Sequence, residues 1–356
     1  MIRKTRKKIT ALILSIVIAM MASSCAPSDT KNENIPTAGS SESADKSTEA
    51  PGEPTASEKE NITVFALKGP TGMGMAKLID DGLQGKTANN YNITIAAAPD
   101  EVQSEIIAGR YDIAAVPTNL AAALYNKTGG KLKVVALNTL GVLYILENGE
   151  TIKNVADLEG KTIGATGQGS TPEYILNYVL EANGLKPGEN VTVNYYTEHS
   201  ELVTHMVSGT VDIGMLPQPN VQTALSKKSS LRIAIDLTEE WNKIENSTSD
   251  LVQGCIVASA DFINNHKEAL DKFLEEYKAS AEYVAENPAE AAKLIESAGI
   301  IPSAAIAEAA IPDCNIVYID GIDMKTKLGG FLEVLYNANK SSIGGKIPDE
   351  GFYYLK

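Results

Sequence analysis

The sequence predicts an α/β protein of two lobes, each built on a largely parallel sheet. Three observations point there. A segment repeats itself one hundred residues further on, and each copy carries a glycine-rich turn between a strand and a helix. The stretch from Ile62 to Lys356 is also long enough to bury two cores.

Residues 1–24 read as an export signal. Arg3, Lys4, Arg6, Lys7 and Lys8 precede the apolar run Ala11 to Ala22, too short to span a bilayer comfortably. The run closes on MASSC, which resembles a bacterial lipobox with Ala22 where leucine is usual. That resemblance implies cleavage before Cys25, diacylation of its sulfur and a membrane anchor in place of a transmembrane helix. Residues 25–60 then hold almost no large apolar side chain. Such a segment cannot bury enough surface to offset its ordering entropy, so a disordered tether is expected.

The formal charge is −14, and loss of the five basic residues of the signal makes it more negative still. Nucleic acid and anionic membrane surfaces are poor partners for such a surface. Beyond Cys25 only Cys255 and Cys314 remain, too few for a disulfide scaffold, and whether they pair is left open.

The first strand is ITVFAL (62–67), followed by the turn and helix of LKGPTGMGMAKLI (67–79). Gly69 and Gly74 have P-loop spacing. Met75 and Ala76 then stand where a lysine and a hydroxyl should meet phosphate and magnesium. G-x-G-x-x-G begins at Gly72 and Gly74 and fails at Lys77. What survives both failures is a helix start with free N–H groups, suited to a polar group rather than a nucleotide.

Next comes YNITIAAAPDEVQSEIIAGRYDIAAVPTN (91–119), which VTVNYYTEHSELVTHMVSGTVDIGMLPQPN (191–220) repeats. Glu101, Gly109, Asp112, Ile113 and Pro117 correspond to Glu201, Gly209, Asp212, Ile213 and Pro217. Each copy reads strand, helix, G-x-x-D-I, apolar strand, so right-handed crossovers and parallel pairing follow. Asp112 and Asp212 precede buried strands at the end away from the strands' carboxyl edge, and read as structural turns. KTIGATGQGSTPEYILNYVL (161–180) supplies the second glycine-rich helix start, again without the P-loop lysine. Ser170 or Thr171 suits the N-cap, Pro172 the first helical position and Glu173 the first turn. Ligands bind at the carboxyl edge of open α/β sheets, so two such edges facing each other make a cleft between lobes.

Catalytic and metal chemistry find no support in the residues. His199, His205 and His266 match no ligand spacing, no G-x-S-x-G elbow occurs, and Cys255 lies inside the apolar strand GCIVAS as a buried, inert thiol. No catalytic residue, metal or cofactor is expected.

With LKGPTGMGMAKLI, the two G-x-x-D-I strands, DLEGKTIGATGQGSTPEYIL and the late helical stretch FINNHKEALDKFLEEYKASAEYVAENPAEAAKLI in this order, the chain resembles a known family. It is similar to type II periplasmic binding proteins of the nitrate/sulfonate/taurine (NitT/TauT) class, which includes binders of thiamine-pyrimidine precursors. The resemblance spans Ile62 to about Tyr354. It implies a two-lobe fold with a discontinuous first lobe, here 61–146 and 240–356, a second lobe at 147–239, and crossovers near Glu147 and Asp236.

By family position the solute should meet Thr71, Gly72 and Met73 from the first turn, and Thr118 and Asn119 after Pro117. From the second lobe it should meet Gln168, Gly169, Ser170 and Thr171, then Gln218 and Pro219. Helix starts and side-chain amides can bind a polar head without a formal charge, which agrees with that set. Glu198 and His199, at the strand-to-helix turn of the second lobe, lack counterparts in the first and are candidates for specificity. Beyond the signal only Arg110 and Arg232 occur, neither placed in the cleft, so a neutral or zwitterionic solute is favoured over a compact dianion.

The implied function is capture of a small polar organic solute by lobe closure and delivery to an ABC permease with its ATPase. The protein would act as a monomer, lipid-anchored at the outer face of the cytoplasmic membrane or in the periplasm. The alternatives are an enzyme on the same fold, of the menaquinone-pathway or thiamine-pyrimidine synthesis type, and a surface sensor module. The synthase's cysteine-rich motif is absent, and an export signal contradicts either cytoplasmic enzyme.

Overall fold

Alternation of strand and helix along the sequence builds two sheets, and the strand that joins each sheet out of turn decides where the lobes meet. The computed structural model describes residues 59–244 and 249–355. The expected signal, Cys25 and all of the tether before Lys59 lie outside the described residues.

The first half runs β1 (Asn61–Leu67), α1 (Pro70–Met73), α2 (Ala76–Leu83), β2 (Asn90–Ala96), α3 (Pro99–Ala108), β3 (Ile113–Pro117), α4 (Thr118–Thr128) and β4 (Leu132–Thr139). Next come β5 (Leu143–Asn148), β6 (Thr162–Thr166), α5 (Thr171–Ala182), β7 (Thr192–Tyr196), α6 (His199–Ser208), β8 (Ile213–Pro217), α7 (Asn220–Lys227), β9 (Leu231–Asp236) and α8 (Leu237–Lys243). The chain returns through β10 (Gly254–Ser259), α9 (Ala260–Asn265), α10 (Lys267–Glu286), α11 (Pro288–Ser297), α12 (Ala304–Ala310), β11 (Ile316–Ile319) and α13 (Gly321–Ala338).

The first sheet is ordered β11-β4-β10-β3-β1-β2 and the second β7-β6-β8-β5-β9. β1 runs parallel to β2 and β3, and β6 to β7 and β8. In each sheet an antiparallel strand separates two parallel ones, β10 between β3 and β4 and β5 between β8 and β9, and β11 adds a second antiparallel strand outside β4 in the first sheet. The sequence repeat is thus a repeat of topology, with β6, β7, β8 and β9 in the places of β1, β2, β3 and β4.

The boundaries differ from expectation at both crossings. β5 pairs with β8 and β9, so the first crossing lies at Leu140 to Val142 and not near Glu147. α8 packs on α5, β5 and β9, so the second lobe continues to the end of that helix at Lys243 and does not stop at 239. The return crossing therefore lies between Lys243 and Gly254.

The aspartates read as structural are so. The Asp112 carboxylate accepts from the Thr63 N–H at 2.8 Å and ties the start of β3 to β1, while Asp212 accepts from the Asn148 side chain at 3.1 Å. Gly109 and Gly209, at the ends of α3 and α6, adopt φ of 70° and 79°, the left-handed helix stop that favours glycine.

A continuous buried cluster joins the lobes. Trp241 of α8, fully buried, lies 4.5 Å from the Tyr178 ring of α5 and 5.6 Å from the Phe331 ring of α13. Its indole N–H donates to the Ser249 carbonyl at 3.0 Å, which satisfies its one polar atom. Among the described residues no helix is long and apolar enough to cross a membrane.

Candidate ligand cleft

The carboxyl ends of β1, β3 and β8 open toward a common gap between the lobes, as open α/β sheets require of a binding edge. A cavity of about 280 Å³ lies there. The first lobe lines it with Lys68, Gly69, Pro70, Thr71, Pro117 and Thr139, and the second with His199, Pro217, Gln218, Pro219 and Asn220. Val142 and Gln253 line it from the two crossings. Larger grooves occur elsewhere, one of about 580 Å³ around Gly109, Tyr111 and Asp112, but that one sits at the opposite strand ends.

The first glycine-rich turn is not an open loop. It folds into the single helical turn α1, and its donors are used internally. The Gly72 N–H donates to the Gly69 carbonyl at 3.0 Å and the Met75 N–H to that of Gly72 at 3.0 Å. One turn later the Leu78 N–H donates to the Ser280 hydroxyl at 3.0 Å. The expected free helix start is therefore largely closed by buried Ser280 of α10. Met73 is 0 % exposed in a cluster with Ile295 and Ile300, so it offers no surface to a solute. Gly72 is also buried, and a Cβ there would sit 2.1 Å from the Leu67 carbonyl oxygen. Its small size serves packing of α1 on β1. Of the three positions expected to meet the solute here only Thr71 lines the cavity, with its carbonyl held by the Asn138 amide at 2.9 Å.

Thr118 also departs from expectation. It is 1 % exposed, its hydroxyl donates to the Val252 carbonyl at 2.7 Å, and its N–H donates to that of Gln253 at 3.1 Å. It fastens the return crossing rather than offering a free donor. Asn119 is half-buried outside the cavity lining.

The second turn faces a different space. Gly169 lines a groove of about 680 Å³ between α5 and α13, with Glu173, Tyr174 and Asn339, and it does not line the cleft cavity. Its N–H already donates to the Glu173 carboxylate, so the anion position at this helix start is filled from within. The Ser170 hydroxyl donates to the Gly167 carbonyl at 2.6 Å, Gln168 is exposed, and Thr171 Oγ1 is buried with no partner among the described residues. The structure thus separates Gln168, Gly169, Ser170 and Thr171 from the cavity that Thr71, His199, Gln218 and Pro219 share.

His199 opens α6 at the cavity wall, its Nδ1 2.7 Å from the Thr166 hydroxyl. Burial lowers its pKa, with the nearby Glu198 carboxylate opposing, so the ring is neutral at pH 7. Gln218 is 2 % exposed, and its Nε2 donates to Asp313 Oδ2 at 3.1 Å. Gln222 Nε2 donates to the same oxygen at 3.0 Å, and the Tyr144 hydroxyl to the Asp313 carbonyl at 2.8 Å. Three second-lobe side chains thereby converge on one residue just after α12. Burial raises the Asp313 pKa, partly offset by the Gln222 hydrogen bond.

Sequence reasoning missed Lys68, Asn220, Gln253 and Asp313. Lys68 and Asn220 closely follow strand ends, so the carboxyl-edge rule by itself would have found them. Gln253 and Asp313 come from the return segment and from after α12, where no repeat marks them. Among the described residues Cys255 and Cys314 are free and buried, and burial pushes both thiols up. Among the described residues no group of three His, Cys, Asp or Glu could hold a metal ion.

The family model described as NMT1/THI5 like matches residues 92–291, from β2 into α11. No curated protein matches the chain. Among solved structures, an ABC transporter from Parabacteroides distasonis is 28% identical with a TM-score of 0.72, over 84% of this chain and 100% of that one. The periplasmic aliphatic sulphonate binding protein SsuA from Escherichia coli is 17% identical with a TM-score of 0.66, over 84% of this chain and 93% of that one. The alkanesulfonate-binding protein SsuA from Xanthomonas axonopodis pv. citri, bound to MOPS, is 16% identical with a TM-score of 0.57, over 82% and 96%. The two SsuA structures show likeness of fold, the two-lobe periplasmic-binding type II architecture.

Proposed function

The chain belongs to the NMT1/THI5-like family, and on that premise we propose that it is an extracytoplasmic solute-binding protein serving an ABC importer. It takes a small polar organic solute between its lobes and passes it on chemically unchanged. The observation that carries this reading is the cavity at the facing strand ends, lined from both lobes by side-chain amides, two threonines and a neutral histidine. Such a wall can orient a solute by hydrogen bonds, and only a solute touching both lobes stabilises their contact. The relatives named as an ABC transporter and as sulphonate-binding proteins support the same role.

The set of contact residues proposed is Thr71, His199, Gln218 and Pro219, joined by Lys68, Asn220 and Gln253. Of the other positions expected from the family, Gly72 and Met73 are buried in packing, and Gln168, Gly169, Ser170, Thr171, Asn119 and Thr118 would enter only through movement of the lobes. Among the described residues lining the cavity Lys68 is the one cation, since His199 is neutral, which fits a neutral or zwitterionic solute better than a dianion. Export, cleavage before Cys25 and lipid anchoring complete the proposal and put the chain at the outer face of the membrane, as a monomer.

A screen of sulfonates, pyrimidines, amino acids and flavin-like compounds by thermal shift should reveal a stabilising solute. Small-angle scattering should then show a smaller radius of gyration with it bound, and mass spectrometry should recover it intact. Turnover of the bound compound would overturn the transport reading in favour of an enzyme, and the family does include a synthase.

A further inference from the structure

Gln218 stands where the cavity wall meets the contact between the lobes. It lies directly after β8, is 2 % exposed and lines the cavity. Its Nε2 donates across the lobe boundary to Asp313 Oδ2 at 3.1 Å, beside the Gln222 Nε2 that reaches the same oxygen at 3.0 Å. An ionised carboxylate only accepts, so the NH₂ end of the Gln218 amide must face Asp313. That fixes the other end as well. Its Oε1 is buried and has no partner among the described residues.

A buried amide oxygen without a donor is costly, and inside a low-dielectric cleft it repels another acceptor. From the return crossing Gln253 also lines the cavity, and its Nε2 too is buried with no partner among the described residues. Among the described residues no hydrogen bond fixes that amide, so it can turn to present either end. The obligatory demand therefore comes from Gln218, and it is for a donor.

We propose that Gln218 couples solute choice to lobe contact: its Oε1 takes an N–H or O–H of a neutral solute while its Nε2 holds Asp313, so the cleft selects hydrogen-bond donors over acceptor-only anions. This rests on the solute-binding reading and names the chemistry of that same site. A donor that fills Oε1 orients the amide and strengthens the grip on Asp313. An anion with acceptors alone can pair with Lys68 but meets the Gln218 oxygen head-on, so it gains less from closure than a donor does.

The test uses the full chain and four probes, uracil and nicotinamide as neutral donors, ethanesulfonate and nitrate as acceptor-only anions. Calorimetry and small-angle scattering on wild type, Gln218→Met and Asp313→Asn give the answer. At least one neutral donor should bind wild type and contract it, while neither anion does. Gln218→Met, of similar length but without the amide, should weaken that binding at least tenfold and abolish the contraction. Asp313→Asn should keep the preference for donors and reduce the contraction. If Gln218→Met melts well below wild type, Gln218→Leu, also without the amide, carries the same comparison. Binding of either anion as tightly as the donors, or an unchanged affinity in folded Gln218→Met, would overturn the coupling and leave the solute-binding reading standing. A wild type that ignores all four probes also overturns it, and the wider screen then judges solute binding by itself.

Discussion

Glu147 shows how much one side chain at the rim of the second lobe must satisfy. Its side chain is 4% exposed, and its carboxylate accepts from the Thr151 N–H at 2.8 Å, the Ile152 N–H at 3.2 Å and the Arg232 guanidinium at 2.6 Å. Burial alone would raise its pKa, but the hydrogen bonds from Thr151, Ile152 and Arg232 together hold it below the ordinary glutamate value. A carboxyl with a lowered folded pKa adds stability that is present above its unfolded value and is lost as pH falls through the folded one. Glu147→Gln should therefore cost about 1–3 kcal/mol near pH 7, and the gap to wild type should shrink as the pH drops below ~4, followed by urea denaturation across that range. A gap that stays constant with pH would show the pairing to be unimportant. Gly72 makes a second demand, of space: a Cβ would meet the Leu67 carbonyl oxygen at 2.1 Å, with Ile300 close behind. Gly72→Ala should destabilise the unliganded protein by about 1–3 kcal/mol, a loss measurable by thermal unfolding. Gly169, with φ of 73° and open space around its Cβ position, should cost less on the same change.

Among the elements, those read most directly from the sequence were the repeated ones. Period, turn glycines and the G-x-x-D-I signature placed β3 and β8, α3 and α6, and the carboxyl edges they leave open. β5 was harder, because a strand buried on both faces reads as one apolar run, here VLYIL, with no polar alternation to tell which sheet it joins. That cost the first crossing several residues. Burial of Met73 was equally hidden, since it depends on Ile295 and Ile300, more than two hundred residues away in sequence. The candidate site was legible where a strand end supplies it, at Thr71, Gln218 and His199, and illegible where the return segment does, at Gln253 and Asp313. α8 shows how a short element gains its place from packing. Its Trp241 seats against α5 and α13 at once, so Trp241→Ala should lower stability by about 3–5 kcal/mol in chemical denaturation. A loss below ~1 kcal/mol would mean that the surrounding rings collapse into the space.

For the whole molecule, the quantity that matters is how the two crossings control lobe separation. Gly141 lies in the first crossing, between β4 and β5. A Cβ there would meet Thr238 Oγ1 of α8 at 2.0 Å and Leu251 of the return crossing at 3.1 Å. The Gly141 carbonyl accepts from the Asn315 side chain at 2.6 Å, and the Leu140 N–H donates to the Asn315 carbonyl at 3.0 Å. The first crossing is thus held on the first lobe by Asn315 and pressed against the second lobe at Thr238. A methyl group at Gly141 has to turn the Thr238 hydroxyl aside and, with Thr238 Cβ at 3.1 Å, shift α8 slightly from the crossing, and α8 moves with the second lobe. Gly141→Ala should therefore change the angle between the lobes, strain the Gln218 and Gln222 hold on Asp313, and increase the radius of gyration of the solute-free protein. The cavity walls themselves stay intact, because none of the side chains lining the cavity is altered. A solute should then bind more weakly, since part of its binding free energy must restore the lobe contact. Scattering on Gly141→Ala, with Gly169→Ala as the control that changes a glycine outside both crossings, separates this from general destabilisation. If both variants keep the wild-type radius and the wild-type affinity, Gly141 is merely a tight contact and the hinge lies elsewhere.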